Sequence, residues 1–209
     1  MQKIIFAALC LGALLSITVS AENIKQKAAT IGEPAPNFTL QGADGKKHSL
    51  ADYKGKFIVL EWTNPDCPFV KRFYGAGTMQ ALQKEETAKG VVWLRINSGA
   101  AGQEGSQTVA DLASYEKAHN VASTESLLDP KGRVGHLYGA RTTPHMFVID
   151  DKGVLVYAGG IDDKPSADPA DPAPQTNYVT TALDEAMSGK AVTTPTAKPY
   201  GCSVKYASN

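Results

Sequence analysis

Cys67 lies in the stretch FIVLEWTNPDCPFVKRFY (57–74), where a hydrophobic run ends in a turn and a proline follows the thiol. A helix beginning there offers unpaired backbone N–H groups and the positive end of its dipole, and both stabilise a thiolate. Pro68 suits the first helical position, because the N–H it lacks would have no partner there. Such a sulfur can exchange with a disulfide, or attack a hydroperoxide and become a sulfenic acid. Asn64 and Asp66 belong to the turn or cap. Asp66 opposes ionisation if it points at the sulfur, while Lys71 and Arg72, one turn later, offset it. A Cys-x-x-Cys pair would place its second sulfur at position 70, which is Val70. Any partner for Cys67 must come from elsewhere.

Cys202, in PYGCS near the C-terminus, is the other candidate thiol, and Gly201 before it allows close backbone approach. Three arrangements are open. Cys202 can resolve a mixed disulfide or sulfenic acid on Cys67, acting as the second half of a redox pair. It can form a permanent staple, which across so long a loop would stabilise by roughly 4–5 kcal/mol in the chain-entropy model. Or both thiols stay unpaired. Residues 141–149, RTTPHMFVI, supply a second signal: the Thr143-Pro144 step before a strand is a candidate cis bond. A cis-proline loop there would turn a backbone edge toward a substrate. His145, next to it, is a candidate for lowering the thiol pKa as imidazolium or for moving protons, and otherwise a hydrogen-bonded structural histidine. Arg141 can bind an anionic group or form a salt bridge.

His48, His119 and His136 show no metal-ligand spacing with the cysteines, so no zinc site is expected. The acidic, proline-rich segment 162–174 lacks the regular spacing of a calcium loop and should be exposed and irregular. No haem, flavin, nicotinamide or metal motif is visible, and no bound cofactor is expected.

These residues need a scaffold, and the pattern of the chain describes one. Residues 1–21 have a positive start, an apolar run and small residues before a cleavage point after Ala21, the features of a secretory signal peptide. The alternative is a retained membrane anchor. Cys10 would leave with the peptide. The whole chain holds 21 basic and 21 acidic residues; losing Lys3 leaves 20 against 21, a formal charge of −1. That near-neutrality argues against nucleic acid or an anionic membrane as main partner. An exported chain is periplasmic or secreted, where a disulfide is permitted.

Strands are expected at 37–40, 57–62, 91–96, 126–129, 146–149 and 154–158, the last two joined by the hairpin signal Asp150-Asp151-Lys152-Gly153. Helices are expected at 49–53 as a single turn, at 68–89 with a break near Gly75 and Gly77, at 107–119, at 134–138 and at 177–187. Strands alternating with helices, then a hairpin and a last helix, make an α/β domain with a mixed sheet. The domain should span 31–189, with 190–209 as a tail anchored through Tyr200, Val204 and Tyr206.

Strand–turn–Cys–Pro–helix followed by Thr-Pro–strand–hairpin–helix resembles the thioredoxin fold, with an N-terminal hairpin and a C-terminal tail added. IGEPAPNFTLQGADGKKHSLADYKGKFIVLEW resembles the start of redoxin domains, and NPDCPFV, TPHMFVID, YAGGIDD and GCSVKY resemble the peroxiredoxin-like, AhpC/TSA-related redoxins. The likeness covers about residues 31–206. It implies a thiol-based oxidoreductase whose partners are protein or small-molecule disulfides, or hydroperoxides, together with an external thiol reductant. Cys67 then occupies the first cysteine position of the thioredoxin motif, with Pro68, Thr143, Pro144 and His145 positioning substrate. Glu61, six residues earlier, occupies the place of the buried thioredoxin acid, and would exchange protons with the thiol or else pair with a basic residue. The peroxiredoxin motif Pro-x-x-x-Thr-x-x-Cys is absent, since counting back from Val70 puts Thr63 and Cys67 where Pro and Thr belong. Three functions follow: an exported thiol–disulfide oxidoreductase, a thiol-dependent peroxidase, or a non-catalytic binding protein stapled through Cys67 and Cys202.

Overall fold

The computed structural model describes residues 27–171 and 174–207, so the leader expected at 1–21 lies outside the described residues. In chain order the elements are β1 (Thr39–Gly42), β2 (Lys47–Ser49), β3 (Ile58–Trp62), α1 (Pro68–Gly75), α2 (Thr78–Ala88), β4 (Val92–Asn97), α3 (Val109–His119), β5 (Glu125–Leu128), α4 (Arg133–Tyr138), β6 (Thr142–Thr143), β7 (His145–Ile149), β8 (Leu155–Gly159), α5 (Tyr178–Met187) and β9 (Cys202–Ser203). A short 3₁₀ turn, Leu50–Tyr53, follows β2 and is capped by Ser49.

Seven strands form one sheet in the order β2-β1-β5-β4-β3-β7-β8. β3, β4 and β5 run parallel, while β7 is antiparallel to β3 with Trp62 opposite His145. β3, β4 and β7 are buried at every position, because both faces of the sheet are covered. Alternate residues therefore enter different cores. Leu60, Trp62, Leu94, Ile96 and Phe147 pack with Tyr138 of α4 on one face. Val59, Trp93, Met146 and Val148 pack with Cys67, Val70, Phe73, Met79 and Leu183 on the other.

The segment expected as a broken helix is two helices, α1 and α2. Gly77 takes a left-handed φ of 73° between them, a conformation that β-carbon-bearing residues rarely adopt. The first strand lies two residues later than expected, since Asn37 accepts from Ser49 and Ala51 around the 3₁₀ turn instead of entering the ladder. The described residues of segment 162–174 are irregular, but Asp162 at its start is buried and accepts a hydrogen bond from the Tyr200 hydroxyl.

One polar cluster is sealed beneath α1 and α2. Glu61 accepts from the Tyr74 hydroxyl at 2.9 Å, from Gln83 at 3.1 Å and from the Trp93 indole at 2.8 Å. Arg95, next to Glu61 in the parallel register, brings its Nε to 3.9 Å from the carboxylate; neither side chain has exposed surface. The guanidinium lies between the rings of Tyr74 and Tyr115, at 5.0 and 4.9 Å, and donates to Ser126 at 2.8 Å. Removing one member of a buried ion pair strands the other charge. Arg95→Met should therefore cost roughly 3–5 kcal/mol of stability, and the Glu61→Gln/Arg95→Met double variant should cost clearly less than the two single changes added. Urea denaturation of the four proteins checks this.

Candidate active site

Cys67 is the N-cap residue of α1, with extended backbone (φ −66°, ψ 123°) and Pro68 at the first helical position. The turn before it is built by Asn64, whose side-chain oxygen accepts from the Asp66 N–H at 2.8 Å while its carbonyl accepts from the Cys67 N–H at 3.2 Å. Asp66 points to the surface, where Lys71 Nζ lies at 3.7 Å. Val70 is fully buried in the core, yet its backbone N–H serves the Cys67 sulfur.

The Thr143–Pro144 peptide is cis. It brings the Thr143 carbonyl to 3.0 Å from Cys67 Sγ, which donates to it as a thiol. Against the same residue lies the tail. β9 pairs antiparallel with β6, with Thr143 opposite Cys202 and Thr142 opposite Ser203. Gly201 has φ 122°, and a β-carbon there would sit 2.1 Å from the Thr143 carbonyl oxygen. Only glycine permits this approach, and the approach is what delivers Cys202 to Cys67.

The two thiols hold a proton very unequally. Burial raises the Cys67 pKa, but the Cys202 thiol, Thr143 and the backbone N–H groups of Val70 and Cys202 donate to the sulfur and hold it below the ordinary thiol range. The Thr143 hydroxyl is buried with no other partner, which leaves its proton for the Cys67 sulfur. Cys202 goes the other way: burial, its hydrogen bond to Cys67 and the Cys67 charge push it up to about 12. The pair thus gives up its first proton readily and its second reluctantly.

The remaining candidates are placed as follows. Pro68, Thr143 and Pro144 surround Cys67 with Cys202. Glu61 is engaged with Tyr74, Gln83, Trp93 and Arg95, the pairing with a basic residue that was the alternative to proton exchange. His145 belongs to the other face, its ring 4.5 Å from Phe147, and its Nδ1 accepts from the Arg141 N–H at 3.2 Å. Burial, with Arg141 nearby, pushes His145 down to about 4, so it is neutral near pH 7 and is no imidazolium for the thiol. The Thr143 hydroxyl and strand β9 were not singled out from sequence. A two-residue strand carries no periodic signal, although the glycine before Cys202 marked the close approach. Away from this site, Asp44, His48 and Glu125 bring ligand atoms within 4.8 Å of one another. They form a polar cluster at the β1–β2 hairpin, His48 lying 3.0 Å from Asp44 and 3.6 Å from Glu125.

A mixed sheet with a helix-capping cysteine facing a cis-proline defines a redoxin of thioredoxin-like fold. The model of the AhpC/TSA family matches residues 31–158, and the chain belongs to that family. The thioredoxin-like protein YneN of Bacillus subtilis is 31% identical over 124 residues, 59% of this chain and 68% of its own. The thiol-disulfide oxidoreductase ResA of Geobacillus thermodenitrificans is 27% identical over 153 residues, 69% of this chain and 78% of its own. An uncharacterised conserved protein of Geobacillus kaustophilus superposes with a TM-score of 0.76 at 28% identity, over 88% of this chain and 96% of that one.

A histidine whose folded pKa is depressed from 6.5 to about 4 binds its proton less tightly when folded than when unfolded. Its contribution is intact above pH 6.5 and falls away as pH drops toward 4, by about 3 kcal/mol in all. Wild type should therefore lose more stability than His145→Gln between pH 6.5 and 4, measured as the difference in denaturant midpoints.

Proposed function

We propose that this chain is an exported thiol–disulfide oxidoreductase in which Cys67 and Cys202 form a redox pair. The observation that carries the reading is the placement of Cys202, through Gly201 and the β6–β9 ladder, opposite Thr143, whose carbonyl accepts from the helix-capping Cys67. Cys67 is the thiolate of the pair and Cys202 its partner, taking the role that Val70 cannot. The disulfide accepts two electrons from external thiols and is reformed by passing them to a disulfide of another molecule. The likeness to ResA supports thiol–disulfide exchange as the activity.

Export rests on the signal-peptide pattern of residues 1–21 and predicts a mature protein beginning at Glu22. Among the described residues no helix is long and apolar enough to cross a membrane. The absent peroxiredoxin motif weighs against fast peroxide chemistry, and Cys67-dependent hydroperoxide consumption should stay near background.

A structural staple and a catalytic pair differ in potential. Staples lie below about −300 mV, whereas exchange pairs span roughly −270 to −120 mV. Donors that stabilise the Cys67 thiolate favour the reduced form and raise the potential, so on this reading the pair should fall in the second range. Equilibration with glutathione buffers measures it. Cys67→Ser should abolish turnover of glutathione disulfide; an unchanged rate, or a potential in the staple range, overturns the reading.

A further inference from the structure

The two sulfurs of the site differ in what can reach them. Cys67 has no exposed surface, whereas Cys202 is only half-buried. The cover is the C-terminal strap, residues 195–206. It starts at the outer edge of β8, where the Pro195 carbonyl accepts from Ala158 at 3.0 Å. It ends on α4, where Tyr206 stacks on His136 at 4.0 Å and donates to the Ala140 carbonyl at 2.8 Å. Midway, Tyr200 packs on Phe69 and donates to Asp162, and Gly201 passes over Thr143. The Val204 N–H bonds the Arg141 carbonyl at 3.0 Å, extending the β6–β9 ladder. A segment of another protein cannot add itself to β6 while β9 is seated there.

On the reading of Cys67 and Cys202 as a redox pair, we propose that the seated strap restricts the enzyme to small thiols and disulfides, which exchange at Cys202, and that a disulfide within a folded protein reaches Cys67 only when the strap lifts. In the seated state a small thiolate attacks Cys202 Sγ of the oxidised pair. The Cys67–Cys202 bond breaks, and its electron pair leaves on Cys67 as thiolate. A second small thiolate attacks the outer sulfur of the mixed disulfide. It releases a symmetrical small disulfide and the Cys202 thiolate, which takes a proton from solvent. Attack at the accessible sulfur, with the more stabilised thiolate leaving, is the faster course.

The test uses the full chain with two strap variants. Gly201→Val puts a side chain against the Thr143 carbonyl and unseats the strap at its centre, while Tyr206→Ala loosens it at the α4 end. Oxidised wild type, mixed briefly with glutathione and acid-quenched, should carry the adduct on Cys202 when mapped by mass spectrometry. In reduced protein, a polyethylene-glycol maleimide should label Cys67 slowly in wild type. In either folded variant it should do so about tenfold faster or more, as expected for a site opened by local unfolding. The variants should also form a mixed disulfide between Cys67 and insulin faster than wild type does. An adduct on Cys67, or labelling of Cys67 that is equally fast in wild type and in both variants, overturns the proposal. Labelling needs no turnover, so it succeeds or fails separately from the Cys67→Ser test of the redox pair.

Discussion

The close passage of the tail backbone over the Thr143 carbonyl, possible because residue 201 is glycine, sets the geometry of everything around Cys67. It completes the short β6–β9 ladder, and the ladder sets Cys202 opposite Thr143. The cis-proline turns that same carbonyl onto Cys67. Three segments far apart in sequence thus converge on one sulfur: the start of α1, the Thr143-Pro144 step before β7 and the tail. Each contributes a donor or acceptor that the other two cannot reach.

The framework under that sulfur is held by a buried polar cluster. Glu61 sits among three neutral donors and one guanidinium, all sealed below α1 and α2. Such a cluster is costly to disturb, since every member left alone would be a buried unpaired group. Tyr74 and Gln83 come from the two helices, while Trp93 and Arg95 come from β4. The cluster therefore ties the helix that carries Cys67 to the centre of the sheet.

Much of this arrangement was legible in the sequence, for identifiable physical reasons. The buried run ending at Trp62, the turn and Pro68 announce a strand feeding a helix, and the structure has β3 and α1 there. The Thr143-Pro144 step pointed to a cis bond, which is present. Other features depend on partners distant in the chain. Nothing near Glu61 in sequence names Arg95 as its counter-charge, because the pairing arises from neighbouring positions on two parallel strands. His145 follows the cis-proline directly, but strand alternation carries its ring to the opposite face, against Phe147. β9 exists only because β6 is there to receive it.

Separating the second sulfur from the helix of the first leaves position 70 free for a packing residue, and Val70 fills the core beneath α1. It also makes the sulfur–sulfur encounter a matter of effective concentration, set by how firmly the strap docks. Tyr206 against His136 and Tyr200 against Phe69 touch neither sulfur, yet they hold Cys202 near Cys67. Each 1.4 kcal/mol of docking realised only in the disulfide form would shift the pair by about 30 mV. The redox poise of such a site can therefore be tuned by aromatic contacts at the far ends of a strap, with the reacting atoms unchanged.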